Sequence, residues 1–116
     1  MNNYIRTSQI ELCSAFGVQP HCSAPTQKVG ISKSALGGEL PLNGLRHLET
    51  NGTTGWYIWG GTELSDAVDF FLPMHLTHLE SECELALKYL LLPPGWRFLT
   101  DGDYEDIWFD KALLVK

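Results

Sequence analysis

His75 and His78 stand three residues apart and Glu82 follows four further on, a spacing that on a helix aligns all three along one border of an apolar face. Two imidazoles and a carboxylate one turn apart form a donor set for zinc. The order is not His-Glu-x-x-His, however, and no cysteine pair lies nearby in sequence. In "DGDYED" the acids Asp101, Asp103 and Glu105 alternate like the first ligands of a calcium loop. That template then fails, because its turn-glycine position holds Asp106, its bidentate glutamate position holds Ala112, and the flanks read as strands. Arg46 and His47 follow a turn and could reach a pocket beneath the element carrying His75. This sets out one class of function, a small metal- or metabolite-binding protein or enzyme with a site near Arg46, His47, His75 and His78. The same residues also read as an arginine paired with an internal carboxylate and histidines that cap or pack. "GGTELS" lacks the lysine of a phosphate loop, and no Gly-x-Ser-x-Gly elbow exists. Catalysis has no positive support in the sequence, which assigns no catalytic residue, cofactor or metal.

The elements that must position these groups are legible in outline. Ser8 with Glu11 forms a capping-box pattern and Gly17 a stop signal, giving a short N-terminal helix that begins near Asn3 if Ile5, Leu12 and Phe16 share its stripe. "VQPHCSAPTQK" is a proline-containing loop, and "KVGISKSAL" a strand in which Val29 and Ile31 alternate against Gly30 and Ser32. Asn43-Gly44 is a turn signal. In "GWYIWGG" alternation sends Trp56 and Ile58 to one face and Tyr57 and Trp59 to the other, so this strand needs cover on both sides. Pro73 to Leu92 reads as a helix, with Leu72, Leu76, Leu79, Cys83, Leu87 and Leu90 on one face; two helices broken near Ser81 give almost the same pattern. "LPPGW" ends it, and "WRFLT" and "IWFD" form a hairpin with a strongly acidic tip. The expected fold is α+β: a mixed or antiparallel twisted sheet packed against helices, with a C-terminal hairpin. Residues 1–28 form a helix and loop packed on a domain spanning 29–116.

Composition bounds the function. With 116 residues, 44% hydrophobic and 19% charged, the chain fits one globular domain with a core. It has no apolar run long enough to span a membrane and no secretory leader pattern, which places it in the cytoplasm. Cys13, Cys22 and Cys83 are an odd number at unpatterned spacing and read as reduced thiols. The net charge of −6 is uneven: residues 1–60 carry four basic and three acidic side chains, residues 61–116 four basic and eleven acidic. An acidic surface disfavours direct binding to nucleic acid, and it fits either a basic protein partner or simply a soluble face.

Five phrases in order, "NGLRH" (43–47), "TTGWYIWGGTELS" (53–65), "DFFLPMHLTHLE" (69–80), "LPPGWRFL" (92–99) and "YEDIWFD" (104–110), resemble the immunity protein 33-like domain family. These are small bacterial proteins grouped with the immunity partners of polymorphic toxins. The resemblance runs from about Val29 to Leu114 and leaves out the segment with Cys13 and Cys22. It implies an α+β domain that binds and neutralises a cognate toxin, and it carries over no established binding residues. Combined with the charge pattern, it points to a partner-binding surface made of Asp101, Asp103, Tyr104, Glu105 and Asp106, with Trp59, Glu63 and Asp66 nearby. A third class, an adaptor or self-associating protein pairing through its aromatic strand, leaves the oligomeric state open.

Overall fold

In the computed structural model, which describes residues 3–115, the aromatic run becomes an interior strand with both faces covered. The chain opens with helix α1 (Asn3–Ala15), followed by β1 (Lys28–Ser32), the short helix α2 (Lys33–Leu36), β2 (Leu42–Arg46) and β3 (Thr53–Gly60). Then come β4 (Phe71–His75), a 3-10 turn (Leu76–His78), α3 (Leu79–Glu82), a 3-10 turn (Glu84–Tyr89), β5 (Trp96–Thr100), β6 (Glu105–Phe109) and a last 3-10 turn (Lys111–Leu114). Among the described residues these strands make one six-stranded sheet in the order β4-β1-β3-β2-β5-β6. β1 and β3 run parallel, and the other neighbours antiparallel. With its helices, this mixed sheet is the α+β fold that the alternation patterns imply.

Directly paired residues share a face of a sheet. Val29, Ile31, Trp56, Ile58, Leu42 and Phe98 therefore form one apolar surface, and Leu12 and Cys13 of α1 pack on it with Leu79, Leu87, Leu90 and Leu92. Each such side chain removed from water stabilises by about 1.5–3 kcal/mol, so this layer is the main source of stability. The opposite face holds a smaller cluster of Leu45, Trp59 and Leu113, with Tyr57, Phe70 and Phe71 partly buried around it; no member of α1 or of the 79–92 segment belongs to it.

Three sequence expectations are corrected. Pro73–Leu92 is not one helix: its first residues form edge strand β4, pairing Val29 with Met74 and Ile31 with Leu72. β1 needs a partner on that side, and an edge strand tolerates proline's missing N–H. The remainder is short turns, broken at Cys83 (φ −152°, ψ 70°) close to the Ser81 alternative. The Leu79, Cys83, Leu87 and Leu90 positions are still buried, because the turns aim the same residues inward. Asn43-Gly44 is not a turn but lies inside β2. The Asn43 amide donates to the carbonyls of Pro41 (3.1 Å) and Gly61 (2.8 Å), and Gly44 is needed because a Cβ there would overlap the Phe98 ring. Ser8 does not cap α1, since it sits a turn inside the helix with its hydroxyl donating to the Tyr4 carbonyl at 3.2 Å. The Gly17 stop holds, at φ 69°.

Arg46 ties these layers together. Its side chain is wholly buried: Nε donates to the Thr54 carbonyl (2.9 Å), Nη1 to the carbonyls of Leu92 (2.8 Å), His21 (3.1 Å) and Leu90 (3.2 Å), and Nη2 to Ser23 Oγ (2.8 Å). The guanidinium also lies 5.6 Å from the Trp56 ring centre. Burial pulls its pKa down to about 10, partly offset by the Glu49 carboxylate at 3.8 Å, so it remains a cation at neutral pH. Arg46→Met is expected to destabilise by about 3–5 kcal/mol, because several buried carbonyls lose their donor. Arg46→Lys should recover less than half of that, since one ammonium cannot span the acceptors of a planar fork. Urea unfolding followed by tryptophan fluorescence measures both.

Candidate functional site: the acidic end of the sheet

Register decides which acids meet. Gly60 pairs with Leu42, Leu42 with Thr100 and Thr100 with Glu105, so the exit of β3 and the tip of the β5–β6 hairpin lie at the same end of the sheet. Glu63 and Asp66 follow β3, and Asp101, Asp103, Tyr104, Glu105 and Asp106 form the tip and the start of β6. The hairpin tip and the exit of β3, which Glu63 follows, thus share one end of the sheet, whereas Asp66 lines a cavity with Leu45, His47 and Tyr57 on the second face.

The hairpin tip is built by its own acids. Asp101 accepts hydrogen bonds from the backbone N–H groups of Tyr104 (2.6 Å) and Asp103 (2.9 Å), which hold its carboxyl below the usual aspartate range. Thr100 closes the turn through its hydroxyl to the Tyr104 carbonyl (2.8 Å). Burial pushes the Glu105 carboxyl up, but hydrogen bonds from Lys88 Nζ (2.8 Å) and the Tyr89 hydroxyl (2.7 Å) outweigh it and leave the pKa lowered. Tyr89 is in turn raised, first by burial and then by Glu105, while its ring stacks on Phe98 at 4.2 Å. Asp101 and Glu105 are therefore structural carboxylates. Asp103 and Asp106 are exposed, and among the described residues their side chains have no hydrogen-bond or ion-pair partner; Tyr104 beside them is 58% exposed.

Beside the tip lies an open cavity of about 790 Å³, bounded by Tyr4, Ile5 and Ser8 of α1, by Glu84, Leu85 and Lys88, and by Gly102, Asp103 and Glu105. Lys88 is engaged by Glu105, so Glu84 and Asp103 are the uncompensated charges on its wall. Tyr4 (81% exposed) and Leu85 supply apolar surface. Sequence reasoning missed Tyr4, Glu84 and Leu85. The signal was an aromatic on the polar side of α1 and an acid in the supposed helix, neither of which separates a groove wall from an ordinary solvated face.

Trp59 differs from its expected role. At 5% exposed it is buried against Phe71, with ring centres 6.3 Å apart, and presents no surface to a partner. Glu63 and Asp66 are exposed in the segment that follows. The alternative grouping is dispersed: Arg46 is the core hub, and His47 lies beside Tyr57 at 5.6 Å with Nδ1 3.3 Å from the Leu113 carbonyl. His75 ends edge strand β4, 5.7 Å from His78 between ring centres. Glu82 closes the separate helix α3, so the three do not share one helical border. No group of three metal-binding side chains is present among the described residues, and no described helix is long and apolar enough to cross a membrane.

The Glu105 cluster makes a pH prediction. A carboxyl lowered on folding contributes stability above its ordinary value of 4.5 and loses it as pH falls through the lower folded value. Glu105→Gln is expected to cost no more than about 1 kcal/mol at pH 7, because the carboxylate is about a third exposed and water screens the pair. The variant should also lose less stability than the parent between about pH 5 and pH 3, measured by thermal unfolding across that range.

No curated protein and no solved structure matches the chain. A family model does, over residues 8–110, which takes in Cys13 and Cys22 and so reaches further toward the N-terminus than the phrase resemblance. It covers α1 from Ser8 onward, most of the core and the whole acidic hairpin, and on that match the chain belongs to the Imm33-like domain family.

Proposed function

We propose that this protein is an immunity protein that binds a cognate toxin and neutralises it through the acidic end of its sheet, without catalysis of its own. Membership of the Imm33-like family supports the class of function. The observation that carries the choice of surface is the division among the carboxylates: Asp101 and Glu105 are satisfied internally, whereas Asp103, Asp106, Glu84 and Glu63 are exposed without a partner among the described residues. Bare like charges at one end of a rigid sheet repel one another, and a basic surface relieves that repulsion while gaining steering and specificity. An inhibitor needs only such a complementary surface, with Tyr104 and Tyr4 as amphipathic anchors. The expected partner is a toxin domain with a basic active-site groove, met in the cytoplasm. Neither nucleic acid nor a membrane is a direct ligand.

The test is co-expression with toxin domains encoded beside the gene, followed by binding measurements on the captured pair. Replacing Asp103 and Asp106 together by lysine should weaken binding by at least about tenfold, or about 1.4 kcal/mol, and flatten its salt dependence. Folding stability should stay within about 0.5 kcal/mol of the parent, as for exposed sites generally. A doubly reversed variant that bound and protected as well as the parent would remove the acidic end from the interface.

A further inference from the structure

The second face of the sheet carries a separate cavity. Its volume is about 580 Å³; its floor is Leu45, Tyr57 and Phe71, His47 stands at one side, and Leu64, Ser65 and Asp66 overhang it from the 61–70 segment. The rings are fixed: Tyr57 meets Phe71 edge-on at 5.1 Å and His47 at 5.6 Å. Gly30 permits this arrangement, because a Cβ there would come within 2.7 Å of Tyr57 Cδ1 and push the ring out of place. The Asp66 carboxylate is exposed and unpaired among the described residues. The overhanging segment mixes unpaired acids with exposed apolar side chains, Leu64 at 54% and Val68 fully exposed.

Aromatic rings and an unpaired carboxylate lining one largely apolar pocket are complementary to a cation on an apolar stem. A neutral apolar side chain would leave Asp66 unpaired on the rim, and an anion would be repelled by it. We propose that this pocket takes an arginine side chain presented by the protein partner, with the guanidinium between the Tyr57 and Phe71 rings and Asp66. The partner's identity rests on the toxin-inhibitor reading given above; the pocket's preference for an arginine does not. This pocket is distinct from the hairpin-tip groove: it lies on the second face of the sheet over Leu45 and Tyr57, whereas the groove lies between α1 and the hairpin tip.

The preference is measured on the isolated protein by NMR, titrating N-acetyl-arginine amide, its neutral isostere N-acetyl-citrulline amide, and spermidine. Saturable shifts at Tyr57, Phe71 and Leu64 are expected for the arginine compound with a dissociation constant on the order of 10 mM. Citrulline should bind at least about fivefold more weakly, and Asp66→Asn should erase the difference. Asp66 is exposed in a loop, so this variant folds, and its resonance dispersion confirms that directly. Equal responses to arginine and citrulline, no response at all, or a response to spermidine in place of arginine would each overturn the proposal. The outcome is separable from the toxin reading. A toxin bound as tightly by Asp66→Asn removes the pocket from the interface and leaves the acidic tip, whereas arginine selectivity without any captured toxin leaves the pocket and removes its assigned partner.

Discussion

The buried guanidinium of Arg46 is the constraint on which the rest of the fold depends. It sits at the end of β2 and satisfies carbonyls from three other parts of the chain: the 18–27 loop, β3 and the run that leads into β5. Burying a charge is costly unless every donor finds an acceptor, and here the acceptors are the Ser23 hydroxyl, the Thr54 carbonyl of β3 and the carbonyls of His21, Leu90 and Leu92, which lie outside the strands. The short turns between Leu79 and Leu92 can lie on the sheet because Arg46 and the Trp56 indole, which donates to Leu90 at 3.0 Å, supply the donors that a regular helix would have supplied itself.

That arrangement divides the molecule. One face of the sheet is sealed by α1 and the turns, and nearly all large apolar groups lie there. The other face is covered more thinly, by the 61–70 segment and the C-terminal turn, and keeps an accessible aromatic surface. At the end of the sheet away from Arg46, the chain spends some acids on building the hairpin and leaves others bare. Charge presented on a sheet, whose backbone is already ordered, costs little further conformational freedom when a partner meets it.

Periodicity showed which residues are inside more reliably than which element carries them. Val29 and Ile31, the alternation in "GWYIWGG" and the C-terminal hairpin were legible because period two in a half- or fully buried strand has one solution. Pro73–Leu92 was not, because leucines spaced by three and four fit a helix and a chain of turns equally, and only the unpaired edge of β1 decides that its first residues become a strand. Asn43-Gly44 misled for a similar reason: its turn chemistry was put to tertiary use, with the amide bridging two carbonyls and the glycine admitting Phe98. Of the candidate site, the acids of the tip could be named from sequence. Which of them are bare depends on Lys88 and Tyr89 meeting Glu105 from 17 and 16 residues away, a contact no local pattern encodes.

The aromatic run thus has two roles fixed by a single alternation. Trp56 and Ile58 face the sealed layer, where Trp56 stands beside Arg46 and helps to hold the turns. Tyr57 and Trp59 face the thin layer, but they differ in depth: Trp59 is buried and props Phe71, while Tyr57 is half-buried over Gly30 and open to the cavity. A strand with one polar face would have needed neither cover nor cavity. The consequence of two apolar faces is a second hydrophobic cluster that a chain of this size covers only in part, which leaves an aromatic surface partly open beside the Asp66 carboxylate, the feature on which the proposed arginine contact rests.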